Sequence, residues 1–243
     1  MAPVRVRIGT SGYSYKQWRG NFYPEKLKPA EMLGFYAARF DSVEINNTFY
    51  RMPSAELLQH WAAQVPGGFA FVLKAPQRIT HIKRLQPTSA EDVQHLWRIA
   101  SQLGARLGPL LFQTPPFLKK DAGRLREFLA SLPEGCRAAF EFRNASWADD
   151  EVHALLRERN AALCAADVDE EAAPKPIVAT ARWGYLRLRR ADYDEAALRE
   201  WASRVRAQPW DEAWVFFKHE DQGKGPALAG VFKSIVDGLR EAG

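Results

Sequence analysis

The sequence holds only two cysteines, Cys136 and Cys164, and no CxxC pair. That excludes a disulfide framework and a cysteine-based zinc site. Its five histidines show no HxH or HExxH spacing, so no metal is expected at the functional site. GxGxxG and GxSxG are also missing, which removes a dinucleotide fingerprint and a nucleophile elbow. Ser11 has no evident His and Asp partners, and no cofactor is expected. No apolar run approaches the ~20 residues of a membrane span. The opening "MAPVRVRIGTSG" enters a strand-like alternation at once, without the apolar core of a signal peptide. The expected location is therefore cytoplasmic, with no membrane partner.

The remaining composition is that of a folded globular chain. Hydrophobic residues make up 47% and charged residues 26% of the 243 positions, which argues against disorder. Eight Trp and fourteen Phe can build a sizeable core. The net charge of +5 permits an anionic partner without naming one. Cys164, in the apolar run "AALCAADV", reads as a small buried thiol.

Hydrophobic periodicity alternates between strand and helix along the chain. It predicts strands over 4–9, 42–46, 69–74, 109–113, 138–143, 162–167, 185–189 and 214–218. Helical patterns cover 29–40, 54–65, 89–104, 121–132, 148–159, 194–207 and 225–240, with Ser54 and Asp121 as helix openings. Between 167 and 185 the chain reads "DEEAAPKPIVATARWG", with two prolines and no amphipathic repeat, so a sixth helix should be short or missing. Eight strands alternating with helices at this length favour a closed (β/α)8 TIM-like barrel over an open doubly wound sheet. No linker or repeat justifies a cut, and a single domain over 1–243 is expected.

The ends of these strands are polar where a core would be dry. In "SVEINNTFYRMP", Val43 and Ile45 alternate with Glu44 and Asn46, so one pair faces the helices and the other the barrel interior. The same parity turns Lys74, Gln113, Glu141, Arg143 and Arg187 inward, and Arg7 with them. Buried charges must pair or shift their pKa values. One reading is a structural ion-pair network, with Arg7–Glu44 low in the barrel and Glu141–Arg187 higher. The other is a pocket at the C-terminal ends of the strands, where barrel active sites lie. Under it Glu44, Glu141 and Lys74 are the candidate catalytic groups, with Glu141 foremost. Asn46, Thr48, Gln113, Arg143 and Arg187 line the substrate, and Tyr13, Trp18, Phe49 and Trp147 from the loops stack on it. Lys218 and His219 complete the set, His219 as a proton carrier.

Together "IGTSGYSYKQWRGNFYP", "FDSVEINNTFYRMPS", "FVLKAP…ITH", "LLFQTPP", "AAFEFRNASW", "YLRLRR" and "FFKHED…GPALA" resemble the YecE-like family, also called domain of unknown function 72. The resemblance runs in order from the first strand to the last helix and implies a TIM-like barrel. It implies no reaction, because the family's activity is unassigned. Two departures stand out. Many members read Arg-x-His-Gly after the seventh strand, whereas here Arg187 is followed by Leu188, Arg189 and Arg190. Where others have an Asn-rich end to the eighth strand, this chain has Lys218, His219 and Glu220.

Three functions fit these residues. The first is an enzyme using carboxylate acid/base chemistry on a polar, anionic small molecule that is sugar-, phosphate- or nucleotide-like. The second is a nucleic-acid-binding or nucleic-acid-processing barrel, with aromatics stacking on bases and Arg/Lys on phosphates. The third is a non-catalytic ligand-binding barrel. The sequence leaves the oligomeric state open.

Overall fold

Period-two alternation sorts the side chains of each strand between a barrel interior and a helix layer. The computed structural model describes residues 4–169, 176–218 and 221–241. Its strands are β1 (Arg5–Thr10), β2 (Ser42–Ile45), β3 (Ala70–Lys74), β4 (Leu107–Gln113), β5 (Ala138–Glu141), β6 (Ala162–Asp167), β7 (Trp183–Leu188) and β8 (Glu212–Phe217). All pairings are parallel, in the order β1-β8-β7-β6-β5-β4-β3-β2. The helices are α1 (Met32–Ala37), α2 (Ala55–Ala63), α3 (Ala90–Ala100), α4 (Ala122–Ser131), α5 (Asp150–Glu158), α6 (Glu195–Arg206) and α7 (Lys224–Glu241). This is the expected (β/α)8 TIM-like barrel.

Ser54 and Asp121 do open their helices. Ser54 Oγ accepts from Leu57 N–H and Asp121 Oδ1 from Arg124 N–H, each satisfying a donor the helix itself leaves orphaned. Strand ends lie within two residues of the expected ones, and β6 matches at both ends. The fifth strand stops two residues early, at Glu141, because "FRNASW" turns into a 3-10 helix over Ala145–Trp147. Among the described residues no helix lies between β6 and β7. Accordingly, residues 163–166 of β6 are half-buried where the neighbouring strands are buried. Cys164 is among them and so is less enclosed than expected.

Closure falls between β1 and β2, which share one bridge, Ser11 with Glu44, and no ladder. Tyr36 of α1 fills the seam. Its phenol accepts from Thr10 N–H at 2.8 Å and donates to the Ser42 carbonyl at 3.1 Å. Gly9 is required beside it, because a Cβ there would stand 2.0 Å from the Ser42 carbonyl oxygen and 2.9 Å from the Tyr36 oxygen.

The core divides as parity demands. Val43, Ile45, Phe71, Leu73, Phe112 and Phe140 face the helices. Ala70, Val72, Leu111, Ala139, Tyr185, Trp214 and Phe216 fill the barrel. At its N-terminal end Glu212 accepts from Arg7 Nε at 2.7 Å and from Arg137 Nη1 at 2.8 Å. Both guanidiniums also lie over the Trp214 ring, 5.0 and 5.2 Å from its centre. Arg7 therefore pairs with Glu212 and not with Glu44, correcting the pairing expected low in the barrel. Parity set its direction, but its height is set by β8, where Arg7 stands opposite Trp214.

Candidate functional site

At the other end, five strands each bring a polar residue to the same level. Lys74, Gln113 and Glu141 are the last residues of β3, β4 and β5, and Glu44 and Arg187 are next to last in β2 and β7. Gln113 lies in register with Glu141.

Arg187 is the hub. Its Nη1 donates to Glu141 Oε2 at 2.5 Å and its Nη2 to Glu44 Oε1 at 2.9 Å, so the expected Glu141–Arg187 pair is present and Glu44 shares it. Glu44 also accepts from Ser11 Oγ at 2.7 Å, Asn46 Nδ2 at 3.1 Å and, on Oε2, Tyr185 OH at 2.5 Å. Glu141 Oε1 accepts from Gln113 Nε2 at 2.8 Å and Arg143 Nε at 3.4 Å, with Arg189 Nη1 at 3.7 Å. The chain continues outward, since Lys74 Nζ donates to Gln113 Oε1 at 2.8 Å and lies 4.1 Å from the centre of the Phe49 ring.

These contacts set the charge states. Burial pushes the Glu141 carboxyl up, but Arg187, Arg143 and Arg189 outweigh it and hold it at about 2. Burial likewise pushes Glu44 up, and Arg187 with the Tyr185 and Ser11 hydroxyls brings it below its ordinary value. Neither glutamate can donate a proton near neutrality. Lys74 behaves oppositely. Burial and then Arg187 lower it to about 8 against the pull of Glu44 and Glu141. It is the side chain here whose charge changes just above neutral pH.

The outer layer is cationic. Arg143 and Arg189 are 38% and 19% exposed, while Arg187, Glu44 and Glu141 are at most 5% exposed, so the two outer guanidiniums face solvent. Arg189 Nε is buried with no hydrogen-bond partner among the described residues. Four cations (Lys74, Arg143, Arg187, Arg189) meet two carboxylates (Glu44, Glu141). Arg189 and His81 were missed in the sequence. Arg189 shares the parity of Arg187 but lies past the strand end. His81 lies on a π-helical turn, Arg78–Ile82, with its ring edge-on to Phe49 at 4.8 Å. Burial, Lys74 and Arg143 lower its pKa.

Not every expected residue meets this cluster. Trp18 and Trp147 are each 1% exposed, so neither can stack on a ligand. Trp18 packs on Tyr15, Phe22 and Tyr23. Trp147 stacks on Phe142 at 4.3 Å and donates Nε1–H to the Leu118 carbonyl. Thr48 is buried and braces the strand below Lys74, donating to its carbonyl at 2.6 Å. Tyr13 is half-buried with its ring 6.2 Å from Tyr36, and its carbonyl accepts from Tyr23 OH. Lys218 is half-buried and its N–H donates to the Leu188 carbonyl. His219 lies outside the described residues. Among the described residues no group of three or more His, Cys, Asp or Glu could hold a metal ion. No helix among them is long and apolar enough to cross a membrane.

The family described as "Protein of unknown function DUF72" matches residues 7–242. The UPF0759 protein YunF of Bacillus subtilis (strain 168) is 28% identical over 153 residues, 58% of this chain and 52% of that protein. The UPF0759 protein YecE of Escherichia coli (strain K12) is 33% identical over 110 residues, 45% of this chain and 40% of that protein. The chain thus spans about half the length of the curated relatives it matches. A solved DUF72 family protein from Thermotoga maritima is 26% identical with a TM-score of 0.80, covering 96% of this chain and 99% of that one. One from Enterococcus faecalis V583, at 18% identity and a TM-score of 0.77, shares the fold over 96% of this chain and 95% of its own.

Proposed function

The chain belongs to the DUF72 family, and from the geometry of its barrel mouth we propose that it is an enzyme using acid/base chemistry on a small anionic molecule bound at the C-terminal face. The observation that carries this is the excess of cation over carboxylate where Lys74, Arg143, Arg187 and Arg189 surround Glu44 and Glu141. Both carboxylates are held by Arg187, and Glu141 also meets Arg143 Nε and Arg189 Nη1 at 3.4 and 3.7 Å, so each outer guanidinium keeps N–H groups that these contacts do not use for an incoming carboxylate or phosphate. In this scheme Glu44 and Glu141 are positioning residues, fixing Arg187 and, through Gln113, the Lys74 amine. Lys74 is the proton carrier, since a group titrating at about 8 can both take and give a proton near neutral pH. Calorimetric titration with inorganic phosphate at low ionic strength tests the binding step. It should give saturable binding that weakens about tenfold or more in Arg143→Ala, the loss of one charge-assisted contact. No heat of binding in the unsubstituted protein would contradict the proposal.

A second reading has its own support. Tyr50 and Phe117, 76% and 62% exposed, sit on the loops after β2 and β4, and Phe117 lies 5.3 Å from the Arg84 guanidinium. Exposed aromatics next to guanidiniums suit the bases and phosphates of a single strand. An oligonucleotide titration at two salt concentrations tests it, because phosphate contacts make affinity fall steeply with salt.

A further inference from the structure

The proton-carrier role leaves the Lys74 amine itself unused. Its nitrogen is held on one side by a neutral amide oxygen, Gln113 Oε1 at 2.8 Å, and on another by the face of Phe49 at 4.1 Å. Among the described residues it makes no ion pair within 4.0 Å, unlike Arg187, Arg143 and Arg189 around it. Lys74 is also half-buried, so a small molecule at the mouth can reach it. An amine fixed by a neutral acceptor, walled by an aromatic ring and crowded by other cations is the arrangement that makes lysine a nucleophile. Next to it, Arg143 and Arg189 offer donors to an anionic group.

We propose that Lys74 forms an imine with an aldehyde or ketone that carries a carboxylate or phosphate, the anion lying on Arg143 and Arg189. This rests on the mouth being an anion site and goes further by naming the reactive group of the ligand. The neutral Nζ attacks the carbonyl carbon, forming a C–N bond while the carbonyl π pair moves to oxygen. Oxygen takes up the proton that nitrogen gives up, which yields a carbinolamine. Its hydroxyl leaves as water with the second amine proton as the nitrogen lone pair forms C=N. The balance is amine plus carbonyl to imine plus water, with no oxidant or reductant. The groups facing Lys74 fit this chemistry. Arg187 and Arg143 favour the neutral amine, Glu44 and Glu141 favour the protonated form of the imine, and burial, then Lys74 and Arg143, lower the pKa of His81.

The test uses the intact protein, glyoxylate as probe and cyanoborohydride to trap the imine as a secondary amine, with adducts assigned by peptide mass spectrometry. Lys74 should be labelled about tenfold or more faster than the other lysines at pH 7.5, because a larger share of it is neutral there. Its labelling should rise with a midpoint of about 8. Inorganic phosphate should slow it, and acetaldehyde, which lacks the anion, should label it more slowly. Label spread over surface lysines with Lys74 no faster would overturn the imine. If phosphate still binds in that case, the anion site beneath it stands. Equal labelling by glyoxylate and acetaldehyde without phosphate protection would overturn both.

Discussion

Arg187 Nη1 donates to Glu141 Oε2 at 2.5 Å inside the barrel, with the two side chains 3% and 5% exposed. Removing the charge from one end of such a pair leaves a buried guanidinium short of a counterion. Glu141→Gln should therefore cost stability, by about 3 kcal/mol, near the lower end for a broken buried pair because Glu44 still holds Arg187. Equilibrium denaturation measures it. A near-native midpoint would mean that Glu141 is not the structural anchor described above.

Acid should reveal the same carboxylate. In the unfolded chain Glu141 titrates near its usual 4.5, and in the folded chain at about 2. Its contribution is fully present above 4.5 and is lost as pH falls through about 2, and at 1.36 kcal/mol per unit it amounts to about 3 kcal/mol. Glu44 and Glu212, also held low, act in the same sense. Unfolding free energies at pH 5 and pH 3 should differ less in Glu141→Gln than in the unsubstituted protein. An identical difference in both would remove Glu141 from the acid transition.

Lys74 should be a stability cost kept for function. Below pH 8 it is charged in both states, and burial penalises the folded one. As pH rises from about 8 to 10.5 the unfolded chain binds more protons, so stability should rise across that window. Lys74→Met fills similar space without the charge and should gain about 1–2 kcal/mol at neutral pH, with anion binding lost. A destabilised Lys74→Met would contradict the assignment of a strained ammonium.

Tyr36 should matter out of proportion to one hydroxyl. Tyr36→Phe leaves Thr10 N–H and the Ser42 carbonyl without their partner at the β1–β2 seam. The expected loss is about 1–3 kcal/mol, the cost of buried groups left unpaired, measured by thermal unfolding. An unchanged melting temperature would show the seam closes without it.

The barrel was legible because eight alternating strands impose parity, and parity alone turned Glu44, Lys74, Gln113, Glu141 and Arg187 to one interior. Height and charge balance were not legible. Arg7 points inward as expected but meets Glu212, since no local pattern says which inward residues of different strands share a layer. Trp18 and Trp147 looked like stacking platforms because aromatic residues in mouth loops read alike whether they line a ligand or fold back on the helix layer. His81 could not be found at all, because a π-helical turn places it and not strand parity. Arg189 was within reach, for it carries the Arg187 parity one step past the strand.

The most direct measurement is the protonation midpoint of the Lys74 amine itself, followed by NMR of a labelled lysine side chain assigned with Lys74→Arg. The account predicts a midpoint of about 8, moving upward when inorganic phosphate is added, because a bound anion favours the ammonium. A midpoint at the ordinary 10.5, unmoved by phosphate, would contradict both the depressed amine and the anion site beside it.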